Sequence, residues 1–219
     1  MEKRALPVLL GLAKSFGALS GTTLTSTGAT AITGVGGVGN GGVWPGTAVS
    51  GFPPGTASGV LAPGTVLAQD GEAGCLTAYN NALSITATAA LPSADLAGIT
   101  LLPGVYTFPT SAVALSGTLT LDAGGDATKQ FIFKITTTFT AAAASKVVLI
   151  NNAQPCNVYF IVGSSASIGA AAELQGNMIA YTAIAVSNAA SNQGTWCALN
   201  AAVTLINNSL VAQAGACPT

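Results

Sequence analysis

The chain has 219 residues, 6 % charged and 50 % hydrophobic, with six Lys or Arg, seven Asp or Glu, no histidine and a net charge of −1. Six scattered basic residues form no patch for nucleic acid or an anionic membrane, both of which need clustered cations. No apolar run approaches the ~18 residues of a membrane span. The length fits one all-β domain, and the poverty of charge points to a neutral, weakly ionic surface as partner.

Lys3-Arg4 reads as a dibasic processing site, so residues 1–4 are taken as a residual tail and 5–219 as a single domain. The expectation is a secreted, extracellular, monomeric protein whose leader has already been removed. The first strand is predicted over 19–28, "LSGTTLTSTG". The Gly/Pro-rich stretch from Trp44 to Pro63 reads as loops and tight turns. Leu67, Leu76, Tyr79 and Leu83 then predict an α-helix over 65–91, with Asp70 and Glu72 near its start and Pro92 beyond its end. Gly71 and Gly74 weaken that helix by roughly 1 kcal/mol each, so it needs packing along a flank.

Strands follow at 115–124, 131–141, 146–152 and 157–169, and the C-terminal third repeats itself. Gln175-Gly176 returns 18 residues later as Gln193-Gly194, and apolar alternations recur at Ala166/Ile168, Ile184/Val186 and Val203/Leu205. Recurring strands with glycine-marked corners predict a β-solenoid of stacked coils, here with irregular spacing. Cys75, Cys156, Cys197 and Cys217 form an even set without CxxC spacing, which predicts two disulfides in an oxidising compartment. Three pairings are open. The sequon Asn207-Asn208-Ser209 is compatible with secretion.

The coils carry one further pattern. Taking Leu24, Leu119, Phe139, Ala166, Ile184 and Val203 as inward residues, strand alternation turns their neighbours outward. Those neighbours are Thr23 and Thr25, Thr118 and Thr120, Thr138 and Thr140, Ser165 and Ser167, Ala183 and Ala185, Ala202 and Thr204. Thr22, Thr137, Ser164 and Thr182 precede four of the trios. Stacked, these side chains form a grid repeating at roughly 6.6–6.8 Å along a strand and 4.7–4.9 Å between coils. Exposed strands ordinarily carry Lys or Glu against edge pairing; these carry none. Threonine is stiff at χ1, so it loses little entropy on contact.

In order along the chain, "LSGTTLTSTG", "GTAVSGFPPGT", "LLPGVYTF", "GTLTLDAGGDATKQFIFKI", "VVLINNAQPCNVYFIVGSSASIG", "GNMIAYTAI" and "AAVTLINN" resemble the microbial ice-binding protein family. The resemblance covers about Leu10 to Asn208. It implies an all-β solenoid, a discontinuous β-helix of roughly triangular section with one α-helix alongside. It also implies adsorption to ice through one flat face, often with a T-A/G-x-T/N pattern, giving thermal hysteresis and inhibition of ice recrystallisation. That pattern falls on Thr182-Ala183-Ile184-Ala185 and Ala201-Ala202-Val203-Thr204, with departures at Ala185 and Ala201 that predict a mixed, partly apolar face. The grid spacings lie close to the oxygen repeats of crystalline ice. No cofactor or metal is expected.

The alternative is a secreted structural or adhesive solenoid. Enzyme chemistry is not expected: nucleophilic catalysis lacks a histidine base, and Asp122 and Asp126 read as corner turns rather than a paired acid and base. Asp95 and Glu173 read as isolated acids, and Lys129, Lys134 and Lys146 as single solvating charges. The phenylalanines Phe131, Phe133, Phe139 and Phe160 read as a core stack, and Trp196 as packed at a corner.

Overall fold

A computed structural model describes residues 7–215 and 217–218, so the expected tail at 1–4 lies outside the described residues. Three parallel sheets of nine, seven and eight strands form the sides of a β-helix. Sheet I runs from Leu61–Pro63 through Phe16–Ser20, Trp196–Ala198 and Val158–Val162 to Ala89–Ala90. Sheet II runs Val113–Leu115, Phe139–Ala141, Ala166–Ile168, Ile184–Val186, Val203–Ile206, Thr23–Thr27 and Ala48–Ser50. Sheet III runs from Thr56–Ala57 through Ser209–Ala212 and Lys146–Ile150 to Thr100–Leu101.

The stacking is discontinuous. The first coil lies between the last and the second: Ala18 pairs with Trp196, Leu19 with Gly42, and Leu24 with both Val203 and Val49. The helix Val66–Ser84 joins the second coil, which ends at Pro63, to Ala89 at the far end of the stack.

Each predicted strand of ten residues or more divides around a corner. Residues 131–141 become Phe131–Ile135 in sheet I and Phe139–Ala141 in sheet II, and 157–169 divides likewise. The corners explain the repeat. Gln175 pairs with Gln193, and Gly176 and Gly194 turn the chain from sheet III to sheet I with φ of 134° and 145°. A Cβ on Gly194 would sit 2.1 Å from the Gly176 carbonyl oxygen, so that position admits only glycine. Ala144, Ala171, Ala189 and Asn207 hold a left-handed conformation at the corner between sheets II and III. Asn208 satisfies that corner from inside, its amide donating to the Ser187 and Ala190 carbonyls.

The interior is a stack of aliphatic and aromatic side chains. Phe133 lies 4.9 Å from Phe160, which lies 5.2 Å from Phe139. Trp196 opens its strand two residues past the Gly194 corner, and its side chain is fully buried in this core.

The helix ends at Ser84, short of the predicted 91, because Ile85 turns extended and Ala89–Ala90 joins the edge of sheet I. Thr65 caps its start by accepting from the Ala68 amide, and no acid stands in the first turn. The face that packs follows the predicted stripe only at Tyr79, which is buried, and at Leu67, half-buried against the same cluster. Ala68, Gly71, Cys75, Ala78, Tyr79 and Ala82 are buried, whereas Leu76 and Leu83 are exposed. Close approach selects small residues: a Cβ on Gly71 would lie 2.9 Å from Leu19 and Phe16, and one on Gly74 2.4 Å from the Leu10 carbonyl oxygen. The two glycines lower helix propensity and permit the packing that replaces it. Cys75–Cys197 ties the helix to sheet I, and Cys156–Cys217 ties down the C-terminal segment.

Candidate functional site

The three sides differ in what they present. Sheet I is covered by the helix and the segment from Val8 to Ala13, which pack on Ile132, Tyr159, Ile161 and Ile179. Sheet III carries Lys146 and Glu173 opposite one another, 2.9 Å apart, with Val148 and Ile150 exposed nearby. Sheet II presents two outward rows with no ionisable group.

The first row reads, strand by strand, Ala114, Thr140, Ser167, Ala185, Thr204, Thr25 and Ser50. Thr140, Ser167, Ala185, Thr204 and Ser50 are exposed; Ala114 and Thr25 are half-buried. Thr138, Ser165, Ala183, Ala202, Thr23 and Ala48 form a second row just before the inward residues, exposed at Thr138 and Ala48 and half-buried between. Backbone hydrogen bonds keep this row aligned: the Phe139 amide donates to the Ser165 carbonyl, Ala166 to Ala183, and Ile184 to Ala202. Thr137, Ser164, Thr182 and Thr22 lie at the corner leading into the sheet, where the Ser164 amide donates to Thr137 and that of Thr182 to Ser164.

Inward residues anchor the rows. Val113, Phe139, Ala166, Ile184, Val203 and Leu24 are each at most 3 % exposed, so β alternation leaves their neighbours no other side. Ladder bonds from every coil to the next fix the strand backbones, and buried side chains fix their rotation.

Two predicted residues do not belong to this surface. Thr118 and Thr120 lie in sheet III, where Thr118 pairs with Lys146 and Thr120 with Val148 and Thr100. Residues 115–124 span a corner at Ser116-Gly117, and the T-L-T on its far side imitates the neighbouring motif. The coil's true contribution to sheet II is Val113-Ala114-Leu115. Its signal was the spacing: Val113 stands 26 residues before Phe139, and Phe139 27 before Ala166. Ala48 and Ser50 were also missed, since the surrounding Gly and Pro read as loop.

The charged residues have other employment. Asp122 accepts from the Gly124 amide and the Asn151 side chain, and Asp126 from the Thr128 amide and hydroxyl; these bonds hold both carboxyls below the usual range. Both therefore shape corners. Asp95, read as isolated, accepts from the Ala97 and Ser116 amides and the Ser116 hydroxyl. Lys134 is not a free solvating charge: its ammonium donates to the Leu83 and Ile85 carbonyls and caps the helix C-terminus. Lys146 pairs with Glu173, and Lys129 lies 3.7 Å from Asp126.

A three-sided β-helix with one covered side, one ionic side and one uncharged Thr/Ser/Ala side belongs to the class of solenoids that present a regular surface. The chain matches the family model described as "Ice-binding-like" over residues 18–211, and it belongs to that family. It is 38 % identical over 209 residues to the ice-binding protein of Nostoc sp. strain HG1, covering 95 % of this chain and 75 % of that one. Its fold superposes on the crystal structure of an ice-binding protein from the Antarctic ascomycete Antarctomyces psychrotrophicus with a TM-score of 0.87, at 38 % identity and covering 95 % and 99 % of the two chains. An ice-binding protein from an Antarctic biological consortium gives a TM-score of 0.88 at 38 % identity, covering 94 % and 91 %.

Proposed function

We propose that the protein adsorbs to ice through the outward rows of sheet II, as a secreted, extracellular monomer that performs no catalysis. The observation that carries this reading is the contrast between sides. The two outward rows of the seven sheet II strands hold only Thr, Ser and Ala, with Ile206 exposed beyond them at the end of its strand, while the same coils carry an ion pair on sheet III. A charged side chain holds its own liquid hydration shell. A threonine hydroxyl anchors one water, while its methyl group leaves neighbouring waters to bond with each other in a lattice.

Individual contacts are weak, so binding depends on many made together, and rigidity keeps their ordering cost small. Adsorbed molecules pin the ice front, which bulges between them. Curvature lowers the local freezing point, giving hysteresis, and pinned boundaries slow recrystallisation. The test is ice-affinity partitioning of the purified protein with nanolitre osmometry. The expected result is enrichment in the ice fraction with shaped crystals; exclusion from ice with unshaped crystals would favour an inert structural or adhesive solenoid.

A further inference from the structure

The inward face of the helix is built of Ala, Gly, Cys and Tyr except at Glu72, which is 8 % exposed. Its Oε1 has no hydrogen-bond partner among the described residues. Its Oε2 lies 3.7 Å from Cys197 Sγ, but that sulfur is in a disulfide and has no proton to donate. Neither ion pair among the described residues involves it. A buried carboxyl without donors costs several kcal/mol unless it stays protonated or meets a cation.

Glu72 opens onto a cavity of about 490 Å³ between the helix and the corner where sheet I turns into sheet II. Trp44, Tyr181, Leu76 and Leu199 form its walls. That volume is in the range of small-molecule sites, which pair apolar walls with a few polar groups. A bare metal ion does not fit, because no cluster of acidic or other metal-ligating side chains occurs among the described residues. We propose that this cavity binds a small organic cation of the alkylammonium class, with Glu72 as counter-charge and the rings of Trp44 and Tyr181 as cation–π faces.

Burial pushes the Glu72 carboxyl up to about 8, so the empty site is mostly protonated at neutral pH. Binding a cation then expels that proton to solvent. Among the described residues, the other titratable groups nearby are Tyr181 in the wall and Tyr79, whose rings lie 6.2 Å apart. Burial holds Tyr79 above the ordinary tyrosine value, so it stays neutral over this range.

The experiment is calorimetric titration of the full chain, in liquid solution without ice, with choline and with its neutral isostere 3,3-dimethylbutanol. Choline should bind about tenfold more tightly at pH 9 than at pH 7, following ionisation of a group at about 8. At pH 7 the heat should depend on the buffer's ionisation enthalpy, reporting proton release. The isostere should bind at least about tenfold more weakly. Glu72→Gln should shrink that preference to the cation–π part and remove its rise from pH 7 to pH 9, and Tyr181→Ala should weaken choline binding. No choline binding, equal affinity for both probes, or a preference and pH dependence left unchanged by Glu72→Gln would overturn the proposal. The wild-type comparison of the two probes stands even if a variant fails to fold, and ice activity does not enter it.

Discussion

Sheets II and III are built from the same coils, with the same parallel pairing and the same aliphatic interior, yet they present opposite surfaces to water. Ala114, Thr140, Ser167, Ala185 and Thr204 follow one another up sheet II. Thr118, Lys146, Glu173, Ser191 and Ser209 follow one another up sheet III. The solenoid therefore supplies lattice spacing to both sides and does not by itself make either a site. What separates them is the ion pair of sheet III and its greater share of long aliphatic and amide side chains, which interrupt a regular array of small groups; sheet II exposes one such side chain, Ile206, at the end of its strand.

The sharpest way to break this contrast is a bulky residue on each side. Thr140→Tyr or Ala185→Tyr should remove most of the hysteresis, while circular dichroism and melting temperature barely change. Thr118→Tyr should leave hysteresis at the wild-type level. Equal losses on both sides would mean that the surfaces act together, and loss only at Thr118 would reverse the assignment.

Stability divides the molecule differently, because sheet I alone is covalently tied to the helix. Replacing both Cys75 and Cys197 by Ala opens a link of sequence separation 122 and should cost about 2–5 kcal/mol in urea unfolding. Hysteresis measured well below the melting temperature should then report whether sheet II needs the helix for its shape.

A smaller effect concerns pH. The Glu72 carboxyl titrates at about 8 in the fold and near 4.5 when unfolded, so the folded state holds the extra proton between those values. Stability is therefore greatest below about 4.5 on this account and falls as pH rises to 8, by on the order of a few kcal/mol. Glu72→Gln should flatten that slope in thermal melts at pH 5 and pH 8, while the sheet II surface, which has nothing to titrate, keeps its activity. The smallest effect is expected on sheet III. Lys146→Ala removes a solvent-exposed ion pair and should change stability by less than about 1 kcal/mol.

Much of the site was legible because the inward residue of each coil is strongly apolar and its neighbours obey strand alternation. Thr138-Phe139-Thr140 and Ser165-Ala166-Ser167 needed only that rule. Thr118-Leu119-Thr120 obeys it equally and lies on another side, since alternation says which way a side chain points relative to its own strand but not which sheet holds the strand. Ala48 and Ser50 were hidden by their setting, a short strand among prolines whose pairing with Thr23–Thr27 is long-range. The helix misled in a similar way. Periodicity favoured its leucines, but the packed face is set by close approach to sheet I at Gly71 and to the N-terminal segment at Gly74.

From sequence alone came the solenoid, the weakly ionic surface, the even cysteine set and the residues that point outward, because composition and alternation are local properties of the chain. Only the folded molecule decided which coils are neighbours, that the first lies beside the last, how the four cysteines pair and where Glu72 is buried. Each of those depends on contacts between residues far apart in the chain, and such contacts are fixed by the shared packing of the core.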